Sequence, residues 1–566
     1  VPDGLLAPRL YRAAFLPALL ALIVVAFSLQ EPTGPISPEL SPPGFSAARA
    51  QQVAAQAVEH YGARQSGSVG DTQFAELVEA RLKDVGFGTS TKAFTTTTLS
   101  GRRALTNVVG VRPGPTDRRL LVIASRDGSP GQLKRAGALE TGVLLELARV
   151  LQGRTFEHTL VLASVSGGVD GGLGAARLLR ELHGPLDAVV VVRNVRAQLV
   201  DAPVLTAGDS RLVPDGGFVG TVRRIAGVEF GRVGEDRRRS LPAQLVRLGF
   251  PVALGEQAGM AAAGINGLSI SPAGEPLVAS DADATELAGS SGRTVLRTLT
   301  TLDGDPRATP PGAAPLRVGG MQIPQWAIVL LIGTLFFPLV IAAVDAWARS
   351  HRRRRSGQRG MLAPAIALVW LLALGLLLRA AGLSGILDAP GLPPDPGAVS
   401  GAGASMLGVL ALVLALAGVL VAAGSARQAS PKGGEAAFAL WIVFAGLAIF
   451  AVNPLAAGFV LVLSHLLLLM LLTSAAPRRR QVALLTLIGI APLLLAATYY
   501  PVVFAIAPGG VLRYGVLLLS GGFVSLPALV AGCAFVAAAG TALIQLWWSA
   551  PRPSEQGTRR RVTQSF

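Results

Sequence analysis

At 566 residues the chain is long enough for more than one folding unit. It is 51% hydrophobic and 15% charged, with a mean hydropathy of +0.52, which argues against a wholly soluble enzyme and for a membrane section joined to a soluble one. The single cysteine, Cys533, excludes an intrachain disulfide and a cysteine metal cluster. The formal charge of +16 gathers beside apolar segments, so it reads as membrane topology and not as a nucleic-acid surface.

Residues 13–29, AAFLPALLALIVVAFSL, form an apolar run of near-spanning length preceded by Arg9 and Arg12. The segment 1–30 is predicted to be a retained signal anchor. A cleaved signal peptide is the rival reading, but no small-residue cleavage motif follows directly. A linker, 31–46, leads to a second region, 47–302, without any apolar run of about 20 residues, the length a crossing helix needs.

Within that region, helices are predicted from Ser46 and from Asp71, with Asp71 as the N-cap of the second. TKAFTTTTL and RALTNVVGVRPG read as strands. RRLLVIAS, ending at Ser125, is a third strand, and TGVLLELARVLQ, from Thr141, an amphipathic helix. HTLVLASVSGG, from His158, is a strand, GGLGAARLLREL a helix and LDAVVVVRNV, from Leu186, a strand. ELAGSSGRTVLRTLTTL closes the region as a helix. Continuous apolar strands alternating with helices predict an α/β fold around a buried, mostly parallel central sheet.

A Pro/Gly linker, 303–322, precedes a predicted all-α transmembrane bundle over 323–549 and a basic tail, 550–566. Spans are predicted near 325–346, 361–382, 403–424, 435–452, 455–475, 482–504 and 523–548; 508–522 is apolar too. Eight spans with the first put RSHRRRRSGQR, SARQASPKGG, PRRRQ and the tail on one face. The loop 383–402, with Asp388 and Asp395 and no basic residue, falls on the other. The positive-inside rule then predicts cytoplasmic termini, an extracytoplasmic 31–322 and a plasma-membrane location. Asp345 and His465, polar groups in or near spans, are expected to serve helix contact.

In order, NVVGVRPG, LLVIASRDG, GALETGVLLELARVL, TLVLASVSGG…GGLGA and GEQAGMAAAGINGLSIS resemble the zinc aminopeptidases of the M28 peptidase family over most of 47–302. The resemblance implies an α/β sandwich with active-site loops at strand ends. In that family, His, Asp and Glu side chains hold two zinc ions and a glutamate acts as general base. Carried over position by position, the first His falls on Ser125, its orienting Asp on Asp127 and the bridging Asp on Gly137. The paired glutamates fall on Gly168 and Val169, and the following Asp on Arg193 or Asn194. A later Asp falls on Glu256, and the last His near Ala279 or Ser280. His60, His158 and His183 match no ligand position. The resemblance therefore implies a degenerate peptidase domain without catalytic residues or zinc. The same arrangement is similar to the peptidase-like, non-catalytic subunit of GPI transamidase.

Other chemistry is weighed against this. Asp127, Glu140 and Asp170 are an alternative carboxylate set for a metal. Ser125 and Ser129 lie near Asp127 but lack a histidine base. SVSGG is not a nucleophile elbow, and GGVDGGLG lacks the lysine of a phosphate loop. The loops 125–140, 167–174 and 255–263 are expected to line the old cleft, with Arg126, Lys134 and Arg135 favouring an acidic or phosphorylated ligand. The leading expectation is a non-catalytic membrane protein binding a peptide, glycan or partner protein, with membrane lipid and a complex partner around the bundle. The alternatives are a metallo-aminopeptidase with non-standard ligands and a lipid-handling or transport protein.

Overall fold

The computed structural model describes residues 5–36, 44–128, 135–196, 198–199, 202–208, 211–231, 240–278, 283–304, 310–352, 358–387, 393–396, 403–427, 434–473 and 477–550. The outer region is built on a seven-stranded sheet of order β1-β2-β4-β3-β5-β8-β6. Its strands are β1 (Gly88–Thr98), β2 (Gly101–Arg112), β3 (Arg119–Ser125), β4 (Thr159–Val165), β5 (Leu186–Val192), β6 (Val204–Thr206) and β8 (Gly267–Ile270); a short β7 (Leu212–Val213) lies outside it. The central strands β4, β3, β5 and β8 run parallel; β1, β2 and β6 are antiparallel to their neighbours.

The continuous apolar runs are explained by cover on both faces. Leu120, Val122 and Ala124 of β3 face one layer, together with Leu160 and Leu162 of β4 and Val190 and Val192 of β5. That layer contains α3 (Ala47–Tyr61), α4 (Val69–Asp84), α5 (Ala138–Val150), α7 (Gly216–Glu229) and α9 (Thr285–Asp303). The alternate residues Leu121, Ile123, Val161, Val165, Val189 and Val191 pack on α6 (Leu173–Glu181) and Met260. The side-chain period of two in each strand divides the core in this way.

Some local expectations shift. Ser68, not Asp71, caps α4: its hydroxyl accepts from Asp71 N at 3.2 Å, and the Asp71 carboxylate is drawn inward instead. β6, α7, α8 (Leu241–Gly249) and β8 were not expected as elements. Two of the strands are short, and the glycines and arginines of GGFVGTVRRIAGVE blur its apolar stripe. The stretch after α9 is more than a linker: Gly312–Ala313 (β9) pairs with β7, and β10 (Leu316–Val318) and β11 (Met321–Ile323) form a hairpin.

Among the described residues, eight helical segments are long and apolar enough to cross a membrane. The first, Pro8–Phe27, joins α1 (Pro8–Ala13) to α2 (Leu16–Phe27). The others are α10 (Gln325–Arg352), α11 (Gln358–Leu383), α12 (Gly403–Arg427), α13 (Glu435–Val452), α14 (Pro454–Leu472), α15 (Arg479–Val503) and α17 (Leu526–Ser549). The apolar 508–522 yields α16 (Gly510–Ser520), 11 residues long. At about 1.5 Å per residue it spans roughly half of a ~30 Å hydrocarbon core.

Of the two polar groups, His465 ties helices together and Asp345 pairs within its own helix. His465 Nε2 lies 3.1 Å from the Leu335 carbonyl, which can only accept, so that nitrogen carries the proton and Nδ1 accepts from the Tyr11 hydroxyl at 2.7 Å. Asp345 pairs with Arg349 one turn on, at 3.1 Å. The outer domain seats on the bundle through α8. Asn453 caps α14 through Leu455 N and Ala456 N, and its Nδ2 donates to the carbonyls of Leu248 and Gly249 at 3.0 and 2.9 Å.

Candidate functional site

Parallel strands deliver their carboxyl ends to one sheet edge, where open α/β folds bind ligands. Here that edge receives Ser125–Asp127 from β3, Ser166–Asp170 from β4 and Arg193–Arg196 from β5. The side chains form two buried polar groups.

The first is built on Arg126, 0% exposed. Its Nε is 2.9 Å from Asp71 Oδ1, Nη1 donates to Ser164 O at 3.0 Å and Nη2 donates to Thr106 O. Asp71 also accepts from Gly67 N at 3.0 Å and Ser166 Oγ at 2.6 Å. This corrects the expectation for Arg126: the guanidinium turns into the core because three polar partners await it there, so its own charge does not face a ligand at the loop. Lys134 and Ser129 lie outside the described residues. Arg135 is exposed and lines a cavity of about 290 Å³ with Glu59 and Arg196.

Asp127 accepts from Gly168 N at 2.8 Å, Val169 N at 3.0 Å and Ser66 Oγ at 3.2 Å. Asp170 accepts from the same Ser66 hydroxyl at 2.5 Å and from Leu99 N at 2.8 Å. One hydroxyl proton thus faces two carboxylates. Burial pushes Asp127 up to about 7, the charges of Asp71 and Asp170 adding to it and the two amides opposing; burial likewise raises Asp170. A carboxyl raised on folding binds its proton more tightly in the native state. Its stabilisation is complete below the unfolded value near 4 and is lost as pH rises through about 7. The expected result is a thermal midpoint of the full chain in detergent that rises as pH falls from 8 to 5. In Asp127→Asn this slope flattens while the whole curve drops, because the amide NH₂ faces the Val169 N–H. An unchanged slope in the variant would refute the assignment.

The second group holds the positions to which the resemblance assigns ligands. Ser125 Oγ donates to Glu256 Oε1 at 2.5 Å, and Glu256 Oε2 lies 3.3 Å from Arg193 Nη1. Arg193 Nη2 also donates to Glu275 O at 3.3 Å and stands 3.6 Å from Asp395 Oδ2. Asp395 comes from the loop between α11 and α12, is 2% exposed, and accepts from Leu277 N. Asn194 donates to the carbonyls of Gly274 and Pro276 and accepts from Val278 N, holding that loop against the sheet edge.

The glycines here leave no room for a side chain. A Cβ on Gly168 would stand 2.3 Å from Ser125 Oγ and 2.9 Å from Glu256 Oε1. Gly137, at φ +75°, would put a Cβ 2.5 Å from the backbone of Arg126 and Asp127. Val169 packs its side chain with Ala136 and Leu277. Ala279 and Ser280 are outside the described residues.

The alternative carboxylate set is divided. Asp127 and Asp170 meet at Ser66, whereas Glu140 accepts from Val195 N at 2.9 Å and pairs with Arg196 at 3.3 Å. His158 bridges Asp303 and Asp187 at 2.9 and 2.8 Å, at the opposite ends of β4 and β5. Ser66, Glu275 and Asp395 were missed as site residues. Asp395 stood out only as an acidic residue in a Pro/Gly loop, and nothing local links it to residue 193.

No family model matches the sequence, and no curated protein matches it. Among solved structures, glutaminyl cyclase from Fimbriiglobus ruber is 16% identical with a TM-score of 0.37, over 48% of this chain and 99% of that one. BSAP, a zinc aminopeptidase from Bacillus subtilis, is 11% identical with a TM-score of 0.36, over 48% and 98%. A leucine aminopeptidase precursor from Bacteroides thetaiotaomicron is 15% identical with a TM-score of 0.33, over 46% and 99%. The likeness is one of fold, over about half the chain.

A pair of zinc ions of the kind the sequence resemblance implies needs imidazole and carboxylate donors. The positions concerned offer a hydroxyl, two glycines, a valine, a guanidinium, an amide and one carboxylate already paired with that guanidinium. Among the described residues, this donor set does not fit a pair of zinc ions.

Proposed function

We propose that the protein is a non-catalytic, multi-pass membrane protein whose outer domain is a degenerate peptidase module. The module binds a peptide, glycan or partner protein and serves as a subunit of a membrane complex. The supporting observation is the buried chain Ser125–Glu256–Arg193–Asp395, in which a guanidinium supplies the positive charge among the carboxylates. A permanently charged, planar cation held by two acids is a structural arrangement; it activates no water. The basic loops favour cytoplasmic termini in a plasma membrane, with the outer domain on the other side.

The test is purification of the full chain in mild detergent, followed by metal analysis, peptidase and glutaminyl-cyclase assays with added zinc, and mass spectrometry of what copurifies. The expected result is substoichiometric zinc, no chelator-sensitive turnover and a reproducible protein companion. Stoichiometric zinc with chelator-sensitive aminopeptidase activity would overturn the proposal.

A further inference from the structure

The first helical segment able to cross a membrane, Pro8–Phe27, carries two arginines, and two contacts fix their depth. The amides of Leu5 and Leu6 donate to the Leu472 carbonyl at 3.0 Å each, at the end of α14. Further along, Tyr11 bonds to His465, and the Phe15 ring stacks on the same imidazole with centroids 5.6 Å apart. His465 stands about two turns, roughly 10 Å, inside that end of α14. Arg9 and Arg12 follow Leu6 and precede Phe15, so both lie within about two turns of the end of the bundle. This is the end remote from the outer domain, which seats where Asn453 meets Leu248 and Gly249 and where Gln30 pairs with Gln322.

Tyr11 and Phe15 turn toward the bundle, whereas Arg9 and Arg12 are exposed. At about 100° per residue, the two arginines head one stripe with Leu16, Leu19, Leu20 and Ile23, all exposed. Spaced three apart, their side chains are neighbours on that face. Neither forms an ion pair among the described residues, and Pro8–Phe27 holds no carboxylate. A bilayer around the bundle therefore meets two uncompensated guanidinium groups at the head of an apolar stripe. Such groups are costly at that depth unless they reach the polar layer and an anion there.

We propose that Arg9 and Arg12 bind the phosphate of an acidic phospholipid, with an acyl chain of that lipid lying along Leu16, Leu19, Leu20 and Ile23. The guanidinium forks present paired N–H donors to phosphate oxygens, and two positive charges favour a headgroup of net negative charge over a zwitterionic one. The inference rests on the membrane reading and not on the closed cleft.

Recovery of the full chain from membranes tests that reading by itself. The purified chain in mild detergent is then titrated with dioleoyl phosphatidylglycerol, dioleoyl phosphatidylcholine and inorganic phosphate in turn, with occupancy read by native mass spectrometry. The expected result is saturable binding of phosphatidylglycerol ahead of phosphatidylcholine, weakened roughly fivefold in Arg12→Gln and further in the double variant Arg9→Gln/Arg12→Gln. Protease cleavage in sealed vesicles checks that each variant inserts as wild type does; Arg12→Gln keeps Arg9 as a charge that directs insertion. Arg478→Gln/Arg480→Gln removes two exposed arginines at the start of α15 and is expected to leave the binding unchanged. An equal loss in both double variants would mean a diffuse surface charge and overturn the site. Phosphate binding with the same arginine dependence, without lipid binding, would overturn the lipid source. Phosphatidylglycerol binding that is unchanged in Arg12→Gln and in the Arg9→Gln/Arg12→Gln variant, or no tighter than phosphatidylcholine binding in wild type, would overturn the proposal.

Discussion

Arg126→Met is expected to be the most damaging single change in the outer domain, costing about 3–5 kcal/mol. The guanidinium it removes is fully buried, 2.9 Å from Asp71, and serves the carbonyls of Ser164 and Thr106 besides. Methionine fills much of the volume but leaves Asp71 as an uncompensated interior charge and two carbonyls without donors. A loss of that size is a large part of the 5–15 kcal/mol that holds a typical domain together. Thermal unfolding of the full chain, with proteolysis read inside 44–304, measures it. Adding Asp71→Asn is expected to recover part of the loss, since the stranded charge goes with it. A midpoint within a degree or so of wild type in the single variant would mean that the pair does not hold this end of the sheet.

The second large effect is expected at Arg193→Met. Its guanidinium stands between Glu256 and Asp395, all three nearly inaccessible, so the substitution strands two carboxylates at once. The expected cost is again about 3–5 kcal/mol. The combinations with Glu256→Gln and Asp395→Asn separate the contributions. Recovery by Asp395→Asn would show that the loop between α11 and α12 is bound energetically, and not only spatially, to the end of β5. Full stability in Arg193→Met would remove the observation on which the degenerate-site proposal rests. Arg126→Met acts within the outer domain alone, whereas Arg193→Met also releases the loop between α11 and α12.

The sequence exposed what depends on local pattern. The runs LLVIA, LVLASV and VVVV announce buried parallel strands because cover on both faces demands apolar residues at every position. The eight helices able to cross a membrane are legible for a similar reason: a bilayer demands length and composition together. The site was legible only as an expected set of positions. Ser125, Gly137, Gly168 and Val169 could be placed by order and spacing at one sheet edge. What fills the space could not be read. Arg126 looks like a surface charge on a loop until Asp71, 55 positions away, is brought to it. Asp395 reaches residue 193 only after the bundle and outer domain have docked. Ion pairs of this range leave no periodicity in the chain, and a buried guanidinium is written with the same letter as an exposed one.

The backbone pairing of Gln30 with Gln322 carries a wider consequence. Gln30 donates to and accepts from Gln322 at 2.9 and 2.8 Å, so the ascending and descending ends of the outer region are laced together just above α2 and α10, which lie side by side. A globular unit whose entrance and exit coincide can be viewed as cargo threaded into one turn of a helical hairpin. Excising 31–322 and joining the two cut ends by a short loop should leave that hairpin able to close, and the freed unit needs only one small clasp to keep its own ends in register.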